Sequence, residues 1–129
     1  MNVLVAVDGS DCSRRALEFA CGFVTRFDAE LSVVHVSDRR TEATDAILEW
    51  ARETLAEAGV DAEAELSLRD ISIRPASKAG EAILDLVDEE GYDHVVMGHH
   101  GDGVVEEAML GSATETVISD ASVGVTIVP

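Results

Sequence analysis

The sequence predicts one α/β domain, a five-stranded parallel doubly wound sheet in the order 3-2-1-4-5 with helices on both faces. Five short apolar segments alternate along the 129 residues with four segments of helical periodicity. Such alternation joins parallel strands through right-handed crossovers. Four of the five segments are apolar without interruption, as expected of strands covered on both faces. We expect residues 1–129 to form a single domain, because two half-length cores would be too small to stand alone.

The first half of the chain predicts two strands and two helices. The first strand, Val3–Val7, ends in a turn at Asp8-Gly9-Ser10, and Ser10 or Asp11 caps the helix that follows. The second strand is Leu31–Val36, and the second helix runs from Thr41 to about Ala58, with Gly59 as its C-cap. Helical spacing predicts that these apolar side chains face inward: Leu17, Ala20, Cys21, Val24 and Phe27 in the first helix, and Ile47, Trp50, Ala51 and Leu55 in the second.

The second half predicts an edge strand and then a helix, a strand, a helix and a strand. Apolar and charged residues alternate in Ala62–Leu68, as in an edge strand with one wet face. Residues 69–76 are expected to form a loop or a short extension, and a third helix to run from Ser77 to Gly91. His94–Met97 is the fourth strand, Ser112 opens the last helix, and Val123–Val128 is the fifth strand. The inward residues of these two helices are expected to be Ile83, Leu84, Val87, Val117 and Ile118.

Charge is the unusual property of this chain. With 26 acidic and 9 basic residues it carries a net charge of −17, which argues against nucleic acid or an anionic membrane as partner. Self-repulsion of this size favours a salt-rich cytoplasm, where screening is strong. The opening MNVLVAVDGS is predicted to be a strand and not a signal peptide, so we expect a cytoplasmic protein. Cys12 and Cys21 lie about 13 Å apart on one helix, too far to pair, and are expected to be reduced packing residues.

Polar and glycine-rich segments follow strands 1 and 4. In the order 3-2-1-4-5 the topological switch point lies between these two strands, and ligands of doubly wound sheets bind at such a point. Asp8-Gly9-Ser10 follows strand 1, and Gly98-His99-His100-Gly101 follows strand 4. The fold therefore predicts one ligand crevice between these segments.

Glycines in the second segment have a spacing suited to a polyphosphate. Gly98, Gly101, Gly111 and Ser112 form a Gly-x2-Gly-x9-Gly-Ser pattern that ends at a helix N-terminus. Glycines let backbone N–H groups approach a phosphate, and a helix N-terminus adds free donors and the positive end of its dipole. Met97 offers an apolar surface near the crevice. The simpler interpretation is a loop before a capped helix, since Ser112–Glu115 fits a capping box.

Asp8 also allows two interpretations. Its carboxylate can accept hydrogen bonds from a ribose or base, or it can simply form the turn before Gly9. The four histidines show no metal-ligand spacing to one another or to the cysteines. No nucleophile–base arrangement and no P-loop lysine pattern is present, so the sequence does not predict an enzyme.

Two segments, Val5–Ser10 with Arg15-Ala16-Leu17 and Val96–Gly98 through Ser112, resemble the universal stress protein family, specifically its ATP-binding branch. The resemblance spans essentially the whole chain. It implies phosphates on Gly98, Gly101, Gly111, Ser112 and Ala113, with Thr114 and Met97 also at the site. It further implies Asp8 beside the base or ribose, Val36 against the adenine, a Mg²⁺ or Mn²⁺ ion on the phosphates, and a homodimer through Val123–Val128.

Two departures from the family pattern bear on function. Asp102, Glu106 and Glu107 stand where the family commonly places basic or polar residues, and they would repel a triphosphate. Gly124 stands where proline is frequent and is expected to loosen the start of strand 5. The leading hypothesis is an ATP-binding stress-response regulatory module. The alternatives are a dimeric interaction module of the same fold without nucleotide, and a slow ATP hydrolase.

Overall fold

A computed structural model describes residues 1–71, 75–100 and 111–129, with only the backbone at 75–77. In chain order its elements are β1 (Asn2–Ala6), α1 (Asp11–Phe27), β2 (Glu30–Ser37), α2 (Glu42–Ala58), β3 (Glu63–Leu68), α3 (Pro75–Glu90), β4 (His94–Gly98), α4 (Ser112–Asp120) and β5 (Gly124–Val128). All strand pairs are parallel, and the sheet order is β3-β2-β1-β4-β5. The predicted fold class is confirmed.

Two apolar cores lie on opposite faces of the sheet. Alternate residues of each strand point to opposite faces, so Val3, Val5 and Val96 pack with α1 and α2. Their neighbours Leu4 and Val95 pack with α3 and α4 on the other face. Uninterrupted apolar strands are therefore explained by burial on both sides, as the sequence predicts.

Local signals fix most of the helix ends. Ser10 caps α1, Thr41 and Thr44 form a capping box at α2, and Gly59 ends α2 with a φ of +68°. The third helix begins at Pro75, two residues before the expected Ser77. Proline suits the first position of a helix, because its φ is already helical and no N–H partner is needed there.

Two side chains predicted to face inward are exposed. Phe27 is 64% exposed at the last residue of α1, where its ring lies 4.8 Å from that of Phe23. Ile118 is 46% exposed, because α4 turns Thr114 and Val117 toward the sheet. The Thr114 hydroxyl donates to the Gly98 carbonyl at 2.8 Å, and this bond fixes the rotation of the helix.

Gly124 packs against the ring of His94, and the expectation that it loosens the start of β5 stays a prediction. The strand begins at this residue, and a Cβ there would lie 2.7 Å from Nδ1 of His94. The His94 ring fills that space, with Nε2 2.7 Å from Oγ1 of Thr126 and its plane stacked on Phe23 at 5.6 Å. Glycine is therefore needed at the start of β5 to admit the imidazole.

Both cysteines are buried free thiols, as predicted. Burial raises the pKa of the Cys21 thiol, and the negative charge of Glu18 raises it further. Cys21 is therefore a neutral packing group in the α1 core. Within the described ranges, no helix is long and apolar enough to cross a bilayer.

Candidate functional site

The candidate crevice lies at the carboxyl edge of the sheet, where β1 and β4 are neighbours. The β1 end leads into Asp8-Gly9-Ser10, and β4 ends at Gly98. On the other side of β1, Ala6 pairs with Val34, so Val36 is level with Asp8. Strand order thus places Asp8, Val36 and Gly98 at one edge.

The turn after β1 is held by its own hydrogen bonds. Oδ1 of Asp8 accepts from the Ser10 N–H at 2.9 Å, and the Asp8 N–H donates to Oγ of Ser13 at 3.3 Å. Gly9, with a φ of +85°, lets the chain turn between them. One oxygen of Asp8 is therefore occupied in shaping the turn, which is the simpler of the two interpretations of this residue.

Gly98 is required by close packing against the first turn of α1. A Cβ at this position would lie 2.7 Å from Cβ of Cys12 and 2.9 Å from N of Ser13. Because Ser13 also bonds to Asp8, the two polar segments meet through it. Gly98 is thus the residue that brings β4 close enough to α1 to form the crevice.

The N-terminus of α4 faces the crevice without a side-chain cap. Gly111 is the N-cap and makes no side-chain hydrogen bond, and Ser112 is exposed at the first helical position. The capping box expected at Ser112–Glu115 is therefore absent, because the helix begins one residue too early for Ser112 to be its N-cap. The Gly111 N–H donates to the His99 carbonyl at 3.0 Å, which holds this helix end beside β4.

The other predicted site residues that the structure describes are buried or half-buried near the crevice. Thr114 is buried, and its hydroxyl is committed to the Gly98 carbonyl. Met97 is 5% exposed and packs in the core on the α3 and α4 face, whereas Val36 is half-buried beside the same core. Ala113 is half-buried in the first turn of α4. Gly101 and the acidic residues Asp102, Glu106 and Glu107 lie outside the described residues.

Arg15 and His100 meet at Cys12, a contact that motif spacing does not predict. Nε2 of His100 lies 3.5 Å from Sγ of Cys12, and Nη2 of Arg15 donates to the same sulfur at 3.6 Å. Nε of Arg15 also donates to the Pro129 carbonyl at 2.6 Å. An exposed guanidinium therefore stands beside the crevice. The sequence signal for Arg15 is its position one helical turn into α1, the helix that follows the Asp8-Gly9-Ser10 segment at the switch point.

The described part of the site is rich in hydrogen-bond donors. Among the residues that the structure describes, no three His, Cys, Asp or Glu side chains come together in a way that could hold a metal ion. Backbone N–H groups of α4, the positive end of its dipole and Arg15 all favour an anion. Asp8 contributes a carboxylate on the opposite side of the crevice.

Comparison with known proteins identifies the family of this fold. The sequence profile of the universal stress protein family matches residues 1–129. The chain belongs to the universal stress protein family. It is similar to the universal stress protein YxiE of Bacillus subtilis, with 31% identity over 140 residues and 89% of each chain covered.

Solved structures of other universal stress proteins superpose closely on this one. A universal stress protein from Archaeoglobus fulgidus has a TM-score of 0.81 at 25% identity, over 100% of this chain and 98% of that one. The universal stress protein from the same organism in complex with dAMP has a TM-score of 0.77 at 25% identity, with the same coverage. Adenine nucleotides thus bind to at least one protein that is similar to this chain along its whole length.

Proposed function

We propose that this universal stress protein is a stress-response regulatory module that binds an adenine nucleotide, ATP with Mg²⁺ or Mn²⁺, between the ends of β1 and β4. Occupancy of the crevice changes its contacts with partners. The observation that carries the proposal is the N-terminus of α4, where the N-cap is Gly111 and no side chain of the described residues caps the helix. First-turn N–H groups and the helix dipole together bind phosphate. The relative in complex with dAMP supports an adenine nucleotide as the ligand.

In this proposal the phosphates lie on the backbone of Gly111, Ser112 and Ala113, with Gly98 and Gly101 completing the turn. Arg15 contributes a cation at the side of the crevice. Thr114 positions the helix through its bond to the Gly98 carbonyl and leaves its own N–H in the first turn. The phosphate site thus joins β4, α4 and α1.

The nucleoside lies toward β2 in the same proposal. Val36 is level with Asp8 and presents an apolar side chain to the base, while Met97 supports the floor from the core. Because Oδ1 of Asp8 accepts from Ser10, Oδ2 is the oxygen that would meet the ribose or base. A divalent ion would be held through phosphate oxygens and water, which is the usual mode for Mg²⁺ at nucleotides.

Titration calorimetry with ATP, ADP, AMP and dAMP, each with Mg²⁺, tests the proposal at low and at multi-molar KCl. We expect micromolar ATP binding that Ser112→Asp weakens about a hundredfold, or ~2.7 kcal/mol, because a carboxylate at the first turn repels phosphate. Ser119→Asp is the matched control, since it adds the same charge at an exposed site near the other end of α4. No binding at either salt concentration, from a folded protein, would refute the nucleotide site.

The acidic residues Asp102, Glu106 and Glu107 favour a second candidate, an interaction module of the same fold without useful nucleotide affinity. The same titrations separate the two, because the second candidate predicts no heat at any salt concentration. Phosphate release in the samples with ATP tests for slow hydrolysis. Turnover that Ser112→Asp abolishes would add a hydrolase activity to the binding function.

The proposal includes a homodimer in a salt-rich cytoplasm. β5 is the last strand of the sheet order, and its outer edge meets no other described strand. Such an apolar edge, covering Val123–Val128 with half-buried side chains, is a pairing surface for a second copy. With a charge of −17 on each copy, association needs the screening that high salt provides.

A further inference from the structure

An aromatic stripe on α1 is exposed to solvent. Phe19, Phe23 and Phe27 recur every four residues, so they share one helix face, with ring centroids 6.2 and 4.8 Å apart. Phe19 is 44% exposed and Phe27 is 64% exposed. Glu18, Gly22 and Arg26 run beside the rings, and these six residues, here named the α1 stripe, line a groove of about 450 Å³. Large apolar side chains gathered in this way mark an interaction surface.

Gly22 lies at the centre of the stripe with no packing reason to be glycine. It is exposed in the middle of a 17-residue helix, where only proline is less favourable. A Cβ at Gly22 would meet nothing within 4 Å, unlike one at Gly98 or Gly124. Among the described residues, nothing fills the space beside Gly22, so the middle of the groove is open.

The charges of the stripe are arranged symmetrically about Gly22. Glu18 stands four residues before it and Arg26 four residues after it, about 12 Å from each other along the helix and so too far to pair. Neither takes part in the ion pairs of the described residues, which are Arg40–Asp45, Arg69–Glu89 and Lys78–Glu81. A second α1, antiparallel and related by a two-fold axis at Gly22, would set each Glu18 against Arg26 of the other copy.

The stripe is continuous with the edge of the sheet. Phe23 stacks on His94, and Nε2 of His94 lies 2.7 Å from Oγ1 of Thr126 in β5. The first turn of α1 packs on Gly98 at one end of β4, and Phe23 packs on His94 at the other. Gly22 is therefore level with the start of β5, so the α1 stripe lies beside the first residues of the edge strand.

We infer that the α1 stripe is a contact surface for a second copy of this chain, packed about a two-fold axis at Gly22 with Glu18 of each copy opposite Arg26 of the other. The inference rests on the homodimer of the proposed function and adds a helix face to the edge strand. The apolar rings supply the buried area, and the crossed charges fix the antiparallel register.

Sedimentation of the full chain over a range of concentrations, in about 0.2 M and about 2 M KCl, tests the inference. We expect a dimer that tightens with salt. Gly22→Gln should weaken it at least tenfold while leaving the melting temperature of the dilute protein unchanged or higher. Ala46→Gln, an enlargement at an exposed site of α2, is the control and should leave the dimer intact.

Charge exchange tests the register. Glu18→Arg and Arg26→Glu should each weaken the dimer about tenfold, because each places like charges together twice across the axis. The double variant should return to within about threefold of the unchanged protein, since the pairs are restored with their signs reversed. Glu53→Arg, on α2, makes the same change of charge as Glu18→Arg and should not weaken the dimer.

Ile127→Pro separates this inference from the homodimer itself. The Val128 carbonyl accepts from His99 of β4, so the N–H of neighbouring Ile127 points to the outer edge, and proline removes it. The inference is overturned, and the edge-strand homodimer kept, if Ile127→Pro dissociates the dimer while the variants of the α1 stripe leave it unchanged. A chain that stays monomeric at every concentration and salt would overturn both.

Discussion

The N-termini of α1 and α4 lie at the same edge of the sheet and begin with the same dipeptide, yet they are built differently. In α1, Ser10 of Gly9-Ser10 is the N-cap, and its Oγ accepts from the Ser13 N–H at 3.2 Å. In α4, Gly111 of Gly111-Ser112 is the N-cap, and Ser112 is the first helical residue. A shift of one residue in the start of the helix removes the side-chain cap.

The difference separates a helix end capped by its own side chains from the one that we propose binds phosphate. Ser10 and Ser13 are buried, and their hydroxyls and the Asp8 carboxylate satisfy the first turn of α1 from within. At α4 the described residues offer no side-chain acceptor at the N-cap, so the N–H groups and the helix dipole are available to an anion. Substitutions at Gly98, Ser10 and Ser112, with controls at Gly22 and Ser119, test how far this contrast holds.

Gly98→Ala should have the largest effect, because it disrupts the close contact between β4 and the first turn of α1. A Cβ there would lie 2.7 to 2.9 Å from atoms of Cys12 and Ser13, two of them backbone atoms that have little room to shift. We expect a loss of about 2–3 kcal/mol in the free energy of unfolding, measured by urea denaturation at constant KCl.

Gly22→Ala is the matched control for Gly98→Ala. Its Cβ would enter open space on α1, so the same substitution should stabilise the dilute protein by about 0.5–1 kcal/mol. If both variants unfolded at the same urea concentration, the close approach of β4 to α1 would not be what requires glycine at position 98.

Ser10→Ala should cost about 1 kcal/mol, because it removes the buried acceptor of the Ser13 N–H. Ser112→Ala should change the free energy of unfolding by less than about 0.5 kcal/mol, since Ser112 caps no helix and is exposed. Urea denaturation of the two variants measures the contrast directly. An equal loss in both would mean that α4 is capped in the same way as α1.

Ser112→Asp should change stability in the opposite direction. A carboxylate in the first turn interacts favourably with the dipole, by about 0.3–1 kcal/mol, so the melting temperature should rise while the affinity for ATP falls. Ser119→Asp, near the other end of the helix, should not raise it. A lower melting temperature for Ser112→Asp would show that the first turn of α4 is already satisfied by an acceptor.

Much of the fold was predictable because strand burial leaves a strong pattern. Val3–Val7, Leu31–Val36 and His94–Met97 are apolar throughout, and the observed strands agree with them within two residues at each end. Side-chain direction at helix ends was less predictable. Phe27 and Ile118 fit the helical period, but tertiary contacts set the rotation and length of each helix, and both side chains are exposed.

In the candidate site, too, some features were predictable from the sequence and others were not. The sequence by itself predicted Asp8, Gly98 and Gly111-Ser112 at one crevice, because the carboxyl ends of parallel strands lie at the same edge of the sheet. It could not distinguish a glycine that meets a ligand from one that meets a helix. Gly98 packs on α1, and Gly124 leaves room for the ring of His94. In both cases the requirement for glycine comes from residues that are far away in the chain.

Local composition and periodicity therefore determined the elements, their order and the edge of the sheet where the crevice lies. Tertiary structure decided which serine caps its helix, which glycine is needed for close packing, and that Arg15 and His100 meet at Cys12. The physical reason is distance. Secondary structure follows from neighbours within a few residues, whereas the open end of α4, the Cys12–His100 contact and the exposed α1 stripe depend on how whole elements pack.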